Sequence, residues 1–330
     1  MNPTTQDFHE VLQTIQSSKQ KAFEQVNTTL IELYWSIGEY ISSKTIKEHW
    51  GKGVVKELAE YIKAQDPTLK GFTSRNLWRM KQFYETYQDN TKVSALLTQL
   101  TWTNNLLILS SSKSNEEREF YIHLAINTKY SSRELDRQIQ SGVFERTMLA
   151  NKKLSAVMRE LPQNTHNVFR DSYALDFLGL PTKHKEQDLQ KALVSSLKEF
   201  ILELGVGFAF IGQEYRLQVG EDDFYIDLLF YHRDLRCLVA FELKTGKFKP
   251  SHLGQLEFYL EALDRDVKRE DENPSIGVLL CRKKNDEVVE YALSRSLSPA
   301  VISEYETKLI PKKILQEKMN ELYERYESKA

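Results

Sequence analysis

The sequence predicts a protein of the α+β class, with an all-α domain in the N-terminal half followed by an α/β layer domain. Three observations support this prediction. The chain of 330 residues is longer than one typical domain needs. Apolar residues recur at three- and four-residue spacing from residue 6 to about residue 160, and β-type apolar runs alternate with helical ones after that. We place the domains at residues 1–160 and 161–330, with a polar, poorly periodic stretch at 151–172 between them.

Composition excludes several classes of protein. The longest apolar runs, such as Ile276 to Leu280, are far shorter than the roughly 18 residues that a membrane span needs. The N-terminus lacks the basic-then-apolar pattern of a signal peptide. The two cysteines, Cys237 and Cys281, each lie in a β-type apolar run and are expected to be core residues. We therefore expect a soluble, cytoplasmic protein that does not bind a membrane.

A predicted helix over residues 74–87 is the candidate DNA-binding element. The net charge of the chain is −2, but residues 44–81 carry a local charge of +5. Thr73 or Ser74 can cap the helix, and its predicted apolar stripe is Leu77, Met80, Tyr84 and Tyr87. A helix that follows a short turn and carries basic and amide side chains off its apolar stripe is typical of a helix-turn-helix recognition element. We expect four residues to contact DNA: Arg75, Asn76, Arg79 and Lys81. A solvated helix face or a protein interface has the same composition.

Two apolar runs in the C-terminal half, residues 224–231 and 235–243, are separated by a short polar turn and predict a β-hairpin. With a turn of two or four residues, Asp227 falls directly opposite Glu242 or one diagonal step from it. Alternation along the strand places Glu242 and Lys244 on the same face. The hairpin therefore brings two carboxylates and an ammonium group together.

Charged groups on a largely apolar strand are costly unless they have partners or a metal ion. The carboxylates of Asp227 and Glu242 suit Mg²⁺ or Mn²⁺, and a backbone carbonyl near Leu243 is a further expected ligand. Such a cation polarises a scissile phosphate, while Lys244 positions the attacking water, stabilises the developing charge or acts as the base. The alternative is a simple ion pair between Glu242 and Lys244 at a strand end, with Asp227 capping a turn.

Several longer segments carry a family resemblance. In the C-terminal half these are residues 224–231, 241–250, 254–255 and 273–281, with 169–180 as the entry to the domain; residues 71–80 belong to the N-terminal half. Together they resemble the YhcG-type branch of the PD-(D/E)XK nuclease superfamily. The resemblance implies a restriction-endonuclease-like fold in the C-terminal half, preceded by a winged-helix-like module.

The resemblance also implies roles for single residues. Asp227 and Glu242 correspond to the metal ligands and Lys244 to the catalytic lysine. Gln255 and Tyr259 are similar to the Gln-x-x-x-Tyr element of RecB-like nucleases, and their spacing puts them on one helix face. Many such nucleases have a glutamate on the first helix of the fold, where this chain has Gln190. Asp188 and Glu186 are the candidate substitutes for it.

These patterns predict a metal-dependent nuclease that hydrolyses phosphodiester bonds in DNA, with the helical half delivering the substrate. A homodimer is a further expectation, because duplex DNA has two strands to cut. One alternative is a catalytically weak or inactive DNA-binding or assembly protein on a nuclease fold, which Gln190 favours. Another is a helical half that recruits other proteins to a nuclease.

Overall fold

The structure is a computed structural model that describes residues 5–150, 153–155, 157–158 and 168–327. It divides into two compact units, Met1–Asp136 and Arg137–Ala330. The predicted domain boundary, between residues 160 and 161, lies outside the described residues, as does most of the predicted linker. Within the described part of the chain, no helix combines the length and the apolar character needed to cross a bilayer.

The first unit is helical, as the sequence predicts. Its described residues form no strand, so the wing of a winged helix has no counterpart among them. The last helix of this unit continues into the second. The helices are α1 (Thr5–Glu48), α2 (Lys52–Gln65), α3 (Ser74–Tyr87), α4 (Thr91–Ser94), a 3₁₀ turn (Leu97–Gln99), α5 (Trp102–Ser111), α6 (Asn115–Thr128) and α7 (Ser132–Gln140).

Helices α1 and α3 form the core of the first unit. Their backbones approach so closely that a Cβ atom on Gly38 would lie 2.2 Å from the carbonyl oxygen of Met80, so that only glycine fits there. The prediction of Tyr84 in the buried stripe of α3 is wrong. Tyr84 lies half-exposed against Trp35, and Phe83 occupies the core instead. The buried residues of α3 are Leu77, Met80, Phe83 and Tyr87.

The second unit is a mixed sheet with helices on both faces. The described strands are ordered β1-β6-β5-β4-β3-β2; β3 is antiparallel to both of its neighbours, β2 and β4, and the remaining neighbours are parallel. Its elements are α8 (Val143–Met148), β1 (Ser172–Ala174), a 3₁₀ turn (Asp176–Leu178), α9 (Glu186–Ser195), α10 (Leu197–Leu204), β2 (Phe208–Val219), β3 (Asp222–His232), β4 (Cys237–Lys247), α11 (Pro250–Asp266), β5 (Ile276–Lys283), α12 (Asp286–Leu293), β6 (Ala300–Glu306) and α13 (Lys312–Glu327).

After the linker, the apolar patterns predict the order α, β, β, β, α, β, α, and the structure confirms this order from α9 to α12 with two differences. The patterns predict a single helix over residues 189–204, whereas the structure has two helices that meet at Ser196, whose backbone leaves the helical region at φ −113° and ψ 37°. Strands β1 and β6 were not predicted. β1 has three residues, too few for an alternating pattern, and β6 carries two glutamates. These two strands pair with each other and close one edge of the sheet.

Each face of the sheet has its own apolar core. On β4, Phe241 and Leu243 pack with residues of α9 and α10, while Ala240 packs with residues of α11 on the other face. Helix α11 lies so close to β5 that a Cβ atom on Gly277 would come within 2.8 Å of the Leu256 side chain. Both cysteines are buried and free, as predicted. The strand that carries the candidate site is therefore covered on both sides.

A buried charge cluster ties the helices before the sheet to β1. The Glu203 carboxylate on α10 is fully buried and contacts three guanidinium groups, at 3.1 Å from Arg137 and 3.2 Å from Arg146 and Arg170. It also accepts a hydrogen bond of 2.9 Å from the backbone nitrogen of Ala174. Burial alone would raise the pKa of Glu203, but the three arginines lower it to about 2.

Replacing Glu203 by glutamine is expected to lower the free energy of unfolding at neutral pH by about 3 kcal/mol, because the guanidinium groups lose their buried counter-charge. The folded-state pKa lies below the ordinary value of 4.5, so this contribution is complete above pH 4.5 and is lost as the pH falls toward 2. Urea titration of the wild type and the variant at several pH values measures it.

Glu199→Gln on the same helix is the matched control, because that carboxylate is exposed. Its effect should stay within about 0.5 kcal/mol. Equal effects of the two substitutions would contradict a stabilising role for the cluster.

Candidate active site

Strands β3 and β4 separate at one point of the sheet. The turn between them has four residues, 233–236, and their pairing ends at Leu228 opposite Phe241. Beyond that pair, β3 stays bonded to β2 and β4 stays bonded to β5. The first residue beyond the last pair is Asp227 on β3 and Glu242 on β4. The same register places these two carboxylates directly opposite each other, as expected for a four-residue turn.

Side chains replace the strand-to-strand hydrogen bonds that are missing at this opening. The backbone nitrogen of Leu243 donates to Asp227 Oδ2 at 2.7 Å. The Gln190 side chain, which comes from α9, donates from Nε2 to the backbone carbonyl of Asp227 at 3.0 Å. Because buried backbone groups need partners, both bonds hold Asp227 in place at the end of the paired segment.

Both carboxylates lie in surroundings that disfavour their charged form. Burial raises the pKa of Asp227, and the hydrogen bond from Leu243 only partly opposes this. Glu242 has just 3% of its surface exposed. Burial, and then the neighbouring charge of Asp227, raise the pKa of Glu242 to about 7, despite the hydrogen bond from Lys244. The positive charge beside the pair is therefore insufficient to balance one buried and one half-buried carboxylate.

The donor set fits a hard divalent cation. Glu242 Oε2 is buried and has no hydrogen-bond partner among the described residues. A charged oxygen in that position is costly unless a cation binds it. In the described parts of the chain, no three His, Cys, Asp or Glu side chains are placed to hold an ion together. The side-chain ligands available are thus Asp227 and Glu242, with water, substrate oxygen and the Leu243 carbonyl to complete the shell.

Lys244 lies between two acidic residues. Its Nζ atom donates to Glu242 Oε1 at 2.7 Å and lies 3.6 Å from Glu186 Oε2 on α9. The lysine side chain is 14% exposed, so the ammonium group sits at the edge of the site and not in bulk solvent. A cation held there can contact both the carboxylate pair and a phosphate that approaches it.

The first helix of the fold supplies two different groups to this region. Gln190 supports the backbone of Asp227, as described above. Of the two candidate substitutes for a glutamate at that position, Asp188 accepts a hydrogen bond of 3.1 Å from the backbone nitrogen of Lys185 and so caps its own helix. Glu186 instead faces Lys244. The structure therefore brings Glu186, and not Asp188, to the site.

Gln255 and Tyr259 share one face of α11, as predicted from their spacing. Gln255 Nε2 donates to the Tyr259 hydroxyl at 2.7 Å. Burial raises the pKa of Tyr259, and the charges of Glu242, Asp227 and Lys244 all act on it. Tyr259 thus lies beside the carboxylate pair, and Gln255 orients its hydroxyl group.

Two further residues near the site were missed in the sequence. His252 lies in the first turn of α11, where burial and then Lys244 lower its pKa. Glu214 on β2 lies across from Asp227, since its neighbours pair with Leu228 and Ile226. Its backbone is left-handed, with φ 46°. His252 was detectable from the sequence, because Pro250 marks the start of the helix and places His252 in its first turn. Glu214 was not, because a bulge in β2 sets its position and no local sequence pattern marks it.

The four residues proposed to contact DNA have different surroundings in the first unit. Asn76 Nδ2 donates to the backbone carbonyl of Gly71, and Asn76 Oδ1 accepts from Trp102 Nε1 at 3.0 Å. Its amide is therefore used within the unit. Lys81 is also engaged: Nζ lies 2.7 Å from Glu85 Oε1 and 5.5 Å from the centre of a tryptophan ring. Both side chains support the packing of α3.

Arg75 and Arg79 are more accessible. Arg75 is exposed and Arg79 half-exposed, and neither forms an ion pair with another described residue. Both lie in the first two turns of α3, which begins after the cap that Thr73 forms on the backbone nitrogen of Asn76. The connection between α2 and α3 spans residues 66–73, longer than the three to four residues common in helix-turn-helix motifs.

Two protein-family models match the chain. The model of the YhcG PDDEXK nuclease domain covers residues 166–320, and the model of the DUF1016 N-terminal domain covers residues 10–146. The Escherichia coli (strain K12) protein named "Putative nuclease YhcG" is 30% identical over 351 residues, which span 95% of this chain and 93% of that protein. The chain belongs to the YhcG nuclease family. The predicted family is thereby confirmed.

Two solved structures are similar to part of this YhcG-family chain. A repair endonuclease from Pyrococcus abyssi has 17% identity and a TM-score of 0.26, over 39% of this chain and 50% of that one. The EndoMS-dsDNA2 complex has 18% identity and a TM-score of 0.27, over 39% of this chain and 46% of that one. At these scores neither similarity carries information about activity.

In the metal-free protein, Glu242→Gln is expected to raise the free energy of unfolding at about pH 8 by about 2 kcal/mol. The folded-state pKa of Glu242, about 7, exceeds the ordinary value of 4.5, so ionisation destabilises the folded state as the pH rises from 4.5 through 7. The gain should therefore vanish near pH 4.5. Urea titration in the presence of a chelator measures it.

The control for this substitution is Glu221→Gln in the exposed turn between β2 and β3. That variant should show no pH-dependent gain. A loss of stability in Glu242→Gln at about pH 8 would mean that Lys244 already compensates the buried carboxylate, and the argument for a cation would fail.

Proposed function

We propose that this protein is a metal-dependent nuclease that hydrolyses phosphodiester bonds in DNA. The observation that carries the proposal is the carboxylate pair of half-buried Asp227 and buried Glu242, with Lys244 beside it. One oxygen of Glu242 has no partner among the described residues. Membership of a nuclease family supports the reaction class. The residues that we assign to the site are Asp227, Glu242, Lys244, Gln255 and Tyr259.

In this proposal Asp227 and Glu242 bind the cation, which is Mg²⁺ or Mn²⁺ because both ligands are hard oxygens. When bound, such an ion lowers the pKa of a water molecule and polarises the phosphate. Lys244 stabilises the negative charge that develops on the phosphoryl oxygens as water attacks phosphorus and the bond to the leaving oxygen breaks. We assign it this role and not that of base, because two carboxylates within 3.6 Å keep its ammonium form.

The groups around the pair hold the reacting atoms in place. Tyr259, oriented by Gln255, presents a hydroxyl group beside the carboxylates and can bind water or a phosphate oxygen. Gln190 keeps the Asp227 backbone at the strand opening. Two further carboxylates lie near the pair: Glu186, which contacts Lys244, and Glu214, which lies across from Asp227.

One observation favours a second candidate function. Gln190, where a glutamate is expected, is committed to a backbone carbonyl and cannot act as an anionic ligand. A site with only two carboxylates binds metal more weakly, and the protein would then be a weak or inactive DNA-binding or assembly protein on a nuclease fold. The two candidates differ in turnover, not in the fold.

Lys244→Ala is expected to reduce cleavage by about 10²- to 10³-fold while metal binding is retained, because the lysine acts on the transition state and is not a ligand. The Asp227→Asn variant should lose both cleavage and metal binding. Cleavage of linear, circular, branched and single-stranded substrates with Mg²⁺ or Mn²⁺ measures the first quantity, and calorimetric titration of the ion measures the second.

Lys247→Ala, on the same strand but exposed, is the matched control and should cleave like the wild type. Equal cleavage by the wild type and Lys244→Ala would mean that the proposed site is wrong. Metal and DNA binding by the wild type without cleavage of any substrate would favour the second candidate.

We further propose that the first unit binds DNA through the α2–α3 face. A groove of about 470 Å³ there has an apolar floor that includes Phe72, and three lysines line it: Lys56, Lys63 and Lys70. Arg75 and Arg79 follow on α3. These five basic side chains, on α2, on α3 and on the connection between them, suit the regularly spaced phosphates of a nucleic acid backbone; the groove is also lined by Glu60, which lies 3.7 Å from Lys56. Asn76 and Lys81 shape this face from within the unit.

Removing the two arginines of α3 together (R75A with R79A) should weaken DNA binding by the full-length protein by about 10- to 100-fold. In a plot of the logarithm of affinity against the logarithm of salt concentration, the magnitude of the slope should fall by about one to two, since fewer counterions are released. Binding titrations at several salt concentrations measure both. A variant that lacks Lys92 and Arg133 loses the same charge from exposed positions of the first unit and is the control. Equal losses in the two variants would mean that only net charge matters.

A further inference from the structure

The N-terminal part of α1 packs against nothing in the described chain. We call residues 6–26 the arm; all of its described side chains are exposed. It extends about 30 Å at 1.5 Å per residue. Six large apolar side chains on it have 49–66% of their surface exposed: Phe8, Val11, Leu12, Ile15, Phe23 and Val26. We call these six the seam.

The seam follows a helical repeat. At about 100° per residue, the six side chains and Ala22 fall within an arc of about 120°, which contains one other residue, Lys19. The rest of the circumference, about 240°, holds no apolar residue of the arm. Positions 8, 12, 15, 19, 22 and 26 are separated by alternating steps of four and three. This spacing is typical of the core positions of a coiled coil.

A helix of this kind needs a partner. Isolated helices draw little stability from propensity, and most of their stability comes from packing an amphipathic face. A membrane surface does not suit the arm, because its polar face has three acidic residues and a single lysine, whereas membrane-binding helices are rich in lysine and arginine there. The partner expected from the repeat is another helix with the same spacing.

We propose that the arm forms an antiparallel coiled coil with the arm of a second copy of this chain. The position of Lys19 decides the direction. It is the one charged residue inside the apolar arc, whereas Glu10, Lys21 and Glu24 lie on the far side of the arm. A parallel pair would place Lys19 beside its own copy on the apolar face. An antiparallel pair that sets position 8 opposite position 26 of the second copy places Lys19 opposite Ile15 of that copy and so separates the two lysines.

The area available suits a weak pair that dissociates on dilution. Twelve seam side chains, six from each arm, bury roughly 60–100 Å² each, which amounts to roughly 700–1,200 Å². Leu33, 45% exposed, extends the same face toward the body of the unit. The sum reaches the lower range of specific interfaces, about 1,200 Å² in total. The contact is therefore strong enough to detect and weak enough to depend on concentration.

The test is the mass of the full-length protein in sedimentation velocity over a wide concentration range. The wild type should be a dimer that dissociates on dilution. Leu12→Glu with Ile15→Glu places four carboxylates in the paired seam and should raise the dissociation constant by at least about 100-fold. Gln13→Glu with Gln20→Glu adds the same charge on the polar face of the arm and should remain dimeric.

Circular dichroism distinguishes a variant that has lost only the paired arm from one that has misfolded. The far-ultraviolet spectrum of the seam variant should lose at most the signal of the arm, and Ile15→Gln alone should give an intermediate dissociation constant. A wild type that is monomeric at every concentration overturns the proposal. So does a seam variant that stays as dimeric as the polar-face control. Cleavage activity does not enter the readout, so the result is independent of the proposed nuclease function.

Discussion

The separation of β3 from β4 is the constraint on which the candidate site depends. A sheet that opens leaves backbone groups without their strand partners, and buried backbone groups must be satisfied. Here the side chains of Asp227 and Gln190 supply the missing bonds, one to Leu243 and one to the backbone of Asp227 itself. At the same opening, one oxygen of the Glu242 carboxylate, Oε2, is buried without a hydrogen-bond partner among the described residues. The local defect of the sheet and the chemistry of the site thus have one origin.

Two buried glutamates of the same unit show why Glu242, and not Glu203, is the candidate metal ligand. Glu203 meets three guanidinium groups and a backbone amide, and its pKa falls to about 2. Glu242 meets a single ammonium group and a second carboxylate, and its pKa rises to about 7. Burial is similar, so the difference lies in the available counter-charge. The first cluster is complete within the protein, whereas the second becomes favourable only when further positive charge arrives.

The hairpin was predictable because its pattern is local. Alternation fixes the face of each side chain, and a short turn limits the register to a few choices, so that Asp227 and Glu242 could be placed together. The partner of Gln190 was not predictable, because that residue and Asp227 are 37 positions apart and only tertiary packing brings them together. The prediction of Tyr84 instead of Phe83 for the core failed because adjacent aromatic residues fit one helical period almost equally well.

Helix α1 presents two faces that do not compete. Ile31, Tyr34 and Ile41 turn inward, and Gly38 among them lies against α3. At about 100° per residue these residues centre roughly 100° away from the seam of the arm. A second copy bound along the seam would therefore leave the contact between α1 and α3 intact, together with the basic side chains that follow on α3. The proposed association through the arm and the proposed contact with nucleic acid would then use different sides of one helical scaffold, so the two can occur in the same molecule.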